Sequence, residues 1–261
     1  MAERGSIFMD VRASRRRLRI DGLGIIASTA GFGLVYGLAA RAAGFSPIEA
    51  SSMSIIVFAG ASQFAAVGFV LGGFSWLGVV LLTAFLNARH LLYSAALSPY
   101  LADQPRLVRA AMAHVLTDES FALSIAHFRR IGRADMPGYW WAAIITVFIP
   151  WNLSTLAGVL IGGQIPDPSR FGLDVIFPAA MAGLAIGLVT GRRELVAALA
   201  GAVVAVAVAL AWDPAAGILA GGLLGPLLGV AVPRGPHEHP PEALIVTRRT
   251  PTVESDEIVP G

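Results

Sequence analysis

Cysteine is absent from this 261-residue chain, so disulfides, thiol nucleophiles and thiolate metal sites are all excluded. Lysine is absent too: the whole Lys+Arg total of 19 is arginine, which we read as a codon bias and not as a functional signal. Charge of either sign is scarce. Asp, Glu, Lys and Arg make up 14% of the residues, against about 25% in a soluble domain, so the polar surface that water demands is missing. HExxH, GxSxG and Walker A patterns do not occur. That leaves no sequence basis for a zinc hydrolase, a serine-hydrolase elbow or an ATP site, and no cofactor is implied. His237 and His239 stand alone in a loose C-terminal stretch, and two such histidines do not make a metal site.

What is present is apolar: 56% of the residues are hydrophobic and the mean hydropathy is +0.70. A bilayer core of about 30 Å needs roughly 20 helical residues, because unpaired backbone groups cannot sit in lipid. Segments of about that length lie at 22–43, 47–72, 75–100, 107–127, 138–162, 171–190, 194–211 and 214–232. The fourth is the weakest, since Asp118 and Glu119 interrupt it. With the N-terminus inside, fourteen arginines fall in cytoplasmic segments and four (Arg41, Arg106, Arg109, Arg170) outside, as the positive-inside rule demands. The N-terminal arginines precede a span too long for a signal h-region. The sequence therefore predicts an all-α polytopic transmembrane bundle of about eight spans with both termini cytoplasmic. A basic tail (1–21) precedes the transmembrane domain (22–232), and a Pro- and charge-rich tail (233–261) reads as disordered. Residues 104 and 168 then fall outside, and 131 and 192 inside.

Several polar residues are out of place in such spans. Arg89 and His90 lie near the middle of the third, where an arginine costs at least about 2.5–3.5 kcal/mol and needs a polar partner. At 100° per residue Asn87, His90 and Ser94 share one face, and Arg89 and Tyr93 another. The expected partner of Arg89 is Asp118 or Glu119, only one of which can face it. A buried carboxylate near an arginine stands between the ionised and protonated forms, as proton coupling requires. In the second span, Gly60 within FAGASQF exposes backbone, and Ser62 and Gln63 add polar groups. Such a break places dipoles around a substrate, although small residues also serve close helix packing. Pro150 with Asn152, and Pro178, mark similar interruptions in the fifth and sixth spans.

A shift of 119 residues brings Gly44 onto Gly163, Pro47 onto Pro166, Phe58 onto Phe177, Ala61 onto Ala180, Ala66 onto Ala185 and Gly68 onto Gly187. This is a weak parallel repeat relating the first three spans to the fifth through seventh. In the eighth span Gly217, Gly221, Gly225 and Gly229 recur every four residues. That flat stripe suits either the neighbouring seventh span or a partner helix.

The segments MSIIVFAGASQF (53–64), NARHLLYSAALSPYL (87–101), TDESF (117–121) and FGLDVIFPA (171–179) resemble the AzlC family of branched-chain amino-acid permeases. The resemblance implies export of valine, leucine, isoleucine and methionine across the bacterial cell membrane, beside a small AzlD-type membrane subunit. The residues themselves suit a secondary exporter. Arg89, or backbone donors near Gly60, would meet a substrate carboxylate; Asp118, Asn87 or Gln63 would meet its ammonium. An intramembrane hydrolase using His90 and Asp118, or a channel or scaffold, are the competing readings.

Overall fold

A computed structural model describes residues 9–72, 76–165 and 191–233, with isolated positions 179, 182, 183, 186 and 189 between the last two stretches. The described residues form helices only, as expected: α1 (Val11–Ala42), α2 (Pro47–Ile56), α3 (Gly60–Leu71), α4 (Trp76–Asn87), α5 (Arg89–Leu101), α6 (Arg106–His114), α7 (Asp118–Ile131), α8 (Met136–Gly162), α9 (Arg192–Ala211) and α10 (Pro214–Ala231). Four helical stretches among them are long and apolar enough to cross a membrane: Val11–Ala42, Leu77–Leu101, Met136–Gly162 and Arg192–Ala211. Large apolar side chains face outward, among them Ile48, Leu91, Leu107 and Leu210. Ser54, Ser62, Gln63, Thr146 and Thr155 are fully buried. Polar side chains set within an apolar core, inside an apolar exterior, are an all-α membrane bundle's solution.

The basic tail expected before residue 22 is helical from Val11. Asp10 caps it by accepting from the backbone N–H of Arg12 and Ala13, and Ser14 and Leu18 are buried. At 1.5 Å per residue the 32 residues of α1 outreach the bilayer core. α1 and α8 run parallel in close contact, with Gly22 against Trp141, Gly33 against Trp151 and Gly162 against Arg41. The tightest approach joins Gly37 and Gly158, where a Cβ on either would strike the other helix's backbone. These pairs stand 118 to 121 residues apart in sequence, close to the offset of the weak repeat.

Segments 47–72 and 107–127, expected as single spans, are each two short helices around a break. In the first, Gln63 Nε2 donates to Ser54 Oγ at 3.2 Å. Met53 packs on the cluster of Ala66, Phe69 and Val79. Nine residues of straight helix would hold residues 54 and 63 about 13 Å apart along the axis, so α3 folds back beside α2. It then runs antiparallel to α4, with Ser62 bonded to Asn87 and Val79 clustered with Ala66 and Phe69. The second pair is built differently in sequence but similarly in space. α7 runs parallel to α5, since Tyr93 stacks on Phe121 and Tyr100 meets Phe128. It runs antiparallel to α1, with His127 bonded to Ser14 and Leu123 clustered with Leu18.

α8 carries the predicted interruption at Pro150 as a π-helical stretch, Trp141–Phe148, between α-helical ends. Proline has no N–H and crowds the carbonyl four residues earlier; the wider π turn relieves both. Asn152 Nδ2 donates to the Phe148 carbonyl at 2.9 Å, just beyond the proline. Pro178, the third predicted interruption, lies outside the described residues, as do 1–8 and the tail beyond 233.

The glycine stripe of α10 is filled from within the chain. A Cβ at Gly217 would meet the Ala205 carbonyl, at Gly221 that of Gly201, at Gly225 that of Ala197 (2.6 Å), and at Gly229 that of Arg193 (2.7 Å). All four glycines therefore face α9, and the reading of this stripe as a partner interface is corrected. A short turn between two small-residue helices lets their backbones meet before any other helix can reach them. Gly221→Ala is expected to destabilise the protein by about 1–3 kcal/mol through overpacking. Gly24→Ala, where an added Cβ meets nothing within 4 Å, is expected to leave it unchanged or slightly stabler. Thermal unfolding in detergent measures both.

Candidate functional site

Three helix breaks converge in the bundle, between α2 and α3, α4 and α5, and α6 and α7. The first is strained. Phe58 is a non-glycine residue at φ 43°, a backbone region that costs a β-carbon-bearing residue of order 1 kcal/mol or more. Its buried ring packs on Phe148 at 4.9 Å, which holds it there. The break is thus centred on Val57–Ala59 and not on Gly60. Gly60 opens α3 with its Cα facing the Trp151 ring. No side chain caps this helix start. The α7 start is capped instead, by Thr117 accepting from Ser120 N–H, and its Asp118 and Glu119 suit the positive end of the helix dipole.

Side chains tie the breaks together. His114, at the end of α6, donates from Nε2 to the Ile55 carbonyl at 3.0 Å, near the end of α2. Ser62 of α3 donates to Asn87 Oδ1 of α4 at 2.9 Å, and His90 Nδ1 donates to the Asn87 carbonyl at 3.0 Å. Arg89 Nη1 donates to Asp118 Oδ2 at 2.5 Å. Tyr93 donates its hydroxyl to the other carboxylate oxygen at 2.6 Å. Of the two candidate acids, Asp118 therefore meets Arg89, and Glu119 is exposed one position round the helix. The Arg89 Nε is buried without a hydrogen-bond partner, so the guanidinium keeps a donor in reserve. His90 and Asp118, weighed as a catalytic pair, are not hydrogen-bonded to each other: each is held by other residues.

A second polar chain runs beside the first. Gln63 Nε2 reaches Ser54, and the Ser54 hydroxyl donates to Thr155 Oγ1 of α8 at 3.0 Å. Gln63 Oε1 and Trp151 Nε1 are buried and unpartnered. The candidates Ser62, Asn87 and His90 thus form one connected group, whereas Gln63 turns toward α8. Tyr93, Ser54, Thr155 and His114 were not picked out as ligands from sequence. Tyr93 alone had a signal, its place one turn from Arg89 on the same face.

At the N-terminal end of the bundle a further cluster locks α1, α7 and α8. The fully buried His127 ring bridges Ser14 Oγ (2.8 Å, through Nδ1) and Asp135 Oδ2 (2.8 Å, through Nε2). Arg15 grips Asp135 with two bonds, of 2.7 and 2.6 Å. Those bonds hold the Asp135 carboxyl below the usual range, at about 2. Among the described residues no group of three potential metal ligands occurs.

A helical bundle with an apolar exterior, four stretches long enough to cross a membrane and buried polar side chains is that of a membrane protein. More narrowly, residues 24–165 match the family described as AzlC protein, and this chain belongs to that family. It is 31% identical over 198 residues to an uncharacterized membrane protein of Archaeoglobus fulgidus, covering 74% of this chain and 84% of that one. It is 30% identical over 151 residues to the branched-chain amino acid transport protein AzlC of Bacillus subtilis (56% and 57%). Inner membrane protein YgaZ of Escherichia coli is 30% identical over 147 residues (56% and 60%). The match spans somewhat more than half of the length of the last two. No solved structure matches.

Removing Arg89 alone should strand the Asp118 charge, so a cycle of Arg89→Ala, Asp118→Asn and the pair is expected to give a coupling of about 1–3 kcal/mol in unfolding free energy. A coupling near zero would remove the pair's structural role. The depressed Asp135 predicts a pH profile. Its stabilising contribution is complete above the unfolded carboxylate value of about 4 and is lost as pH falls through about 2. Arg15→Gln should flatten the acid limb of an unfolding-versus-pH curve.

Proposed function

We propose that this protein exports branched-chain amino acids by secondary transport, exchanging them for protons across the cell membrane. The observation that carries this reading is the Arg89–Asp118–Tyr93 cluster at the meeting of three helix breaks. A zwitterion is complementary to an ion pair. Its carboxylate takes the place of Asp118 on Arg89, whose buried Nε offers a further donor, and its ammonium takes the place of Arg89 on Asp118. The uncapped start of α3, at Gly60, supplies backbone donors nearby. Phe58, Leu116, Phe121 and Phe148, clustered around the same breaks, suit an aliphatic side chain.

Coupling follows from competition. A carboxylate that holds a proton cannot also hold an ammonium ion. Asp118 therefore carries one or the other, and substrate leaving one way is exchanged for a proton moving the other way. With the substrate gone, Arg89 and the Tyr93 hydroxyl close on the ionised carboxylate, which spares it the cost of standing alone in apolar surroundings. The name of the Bacillus relative supports the substrate class. A small AzlD-type subunit completes the exporter in this reading, as the resemblance in 53–64 and 87–101 implies.

Proteoliposomes loaded with labelled leucine, valine or isoleucine test it. Efflux should exceed that of empty vesicles and rise when the outside is acidified. Asp118→Asn should lose the response to the gradient and at least about tenfold of the rate, the worth of one charge-assisted hydrogen bond. Efflux indifferent to pH with Asp118 intact would end the coupling, and no efflux of any of the three would end the reading.

A further inference from the structure

The two folded-back pairs enter the bundle from opposite ends. α1, α8 and the α4–α5 stretch are each long enough to cross a membrane, and α1 fixes the direction of the others. α2 begins at the far end of α1, just past Ala42, descends to the break, and α3 returns to the far end, where α4 begins. α4 and α5 then run back down. Because α5 is parallel to α7 and α7 antiparallel to α1, Leu101 lies at the same end of the bundle as Ser14 and Ile131. The 102–105 turn is therefore at the N-terminal end. From it α6 rises to the shared break and α7 returns. Neither pair crosses.

Between α5 and α6 lies a cavity of about 420 Å³, within the range of small-molecule sites. Its α5 wall is Ser94, Leu97, Ser98 and Leu101, and its α6 wall Arg106, Arg109, Ala110 and Ala113. Both sets are spaced as one helical face. Leu116 and Tyr139 also line it, and Tyr139 is anchored by a 2.6 Å bond to the Met112 carbonyl. Leu116 stands two residues before Asp118, in the break that opens α7. Neither Arg106 nor Arg109 is in a salt bridge among the described residues.

We propose that this cavity is the cytoplasmic vestibule of the exporter, which admits a free amino acid with an aliphatic side chain, carboxylate toward Arg106 and Arg109 and side chain toward Leu97, Met112 and Leu116. The proposal rests on the transport reading for its ligand, but its sidedness stands alone. That sidedness has independent support in charge. Moving Arg106 and Arg109 to the inner face leaves sixteen arginines inside and two, Arg41 and Arg170, outside, a sharper bias than a straight eight-span path allows. It also replaces the expectation that residue 104 is outside. An amino acid with an aliphatic tail and a carboxylate needs what these walls offer: apolar surface on one side and planar cationic donors at the rim.

The absence of native cysteine makes the test direct. With a membrane-impermeant maleimide, D103C should be labelled in inverted vesicles and not in intact cells, and Q164C, beyond the far end of α8, the reverse. Labelling of D103C in intact cells overturns the topology and the vestibule with it. In inverted vesicles, leucine at ten times its Kd should slow labelling of S98C about tenfold. Leucinamide, which lacks the carboxylate, should not, and adding R109Q should abolish the protection. No protection by leucine in vesicles that still export it overturns the vestibule while leaving the transport reading intact. Protection that follows anionic lipid content and ignores leucine assigns the arginines to headgroups and overturns it too. Absence of export by the wild-type protein, with D103C labelled from the inner face, overturns the transport reading and this ligand and leaves the topology standing.

Discussion

The contact between Arg89 and Asp118 is the interaction around which the three helix breaks are arranged, because a guanidinium among apolar helices costs several kcal/mol unless a carboxylate reaches it. Asp118 is the first residue of α7, Arg89 the first of α5. Asp118 therefore sits at a true helix start, after the break that follows α6, whereas Arg89 follows a one-residue irregularity at Ala88 in an otherwise continuous stretch. The acid gains from the positive end of its helix dipole as well as from Arg89.

Breaking helices inside a membrane frees backbone groups that lipid cannot satisfy, and polar side chains, local ones and one from a neighbouring break, bond to the backbone around the interruptions. His114 serves the Ile55 carbonyl, Asn152 the Phe148 carbonyl, and Ser120 the Thr117 N–H. Strain is accepted at Phe58, whose ring is clasped by Phe148. The start of α3 has no side-chain cap, and neither has that of α5.

Small residues settle where helices approach most closely, and they do so twice. Gly37 and Gly158 bring α1 and α8 into backbone contact, and the α10 stripe does the same for α9. In lipid the gain comes from van der Waals contact and not from hiding apolar surface, so a helix pair forms wherever two flat faces meet first. That explains why the stripe of α10 is taken by its sequence neighbour. It also explains why α1 and α8, more than a hundred residues apart, pair in a register near the offset of the weak repeat.

Composition and periodicity alone determined that this chain is an all-helical membrane protein, which of its residues are too polar for lipid, and that Arg89 needs one of two adjacent acids. Those properties are local: transfer cost, helical pitch and the 100° step between neighbours belong to each segment by itself. Which acid answers Arg89, that Tyr93 shares it, and that Gln63 turns to Ser54 instead of Asn87 were decided by packing. Ser14, His127 and Asp135, drawn from three separate segments, carry no local signal at all. The folding back of α3 beside α2, and of α7 toward the end where α5 finishes, was likewise beyond the sequence. An apolar stretch of 25 residues satisfies the hydropathy of one crossing or of two half-crossings equally well, and only contacts between distant residues choose between them.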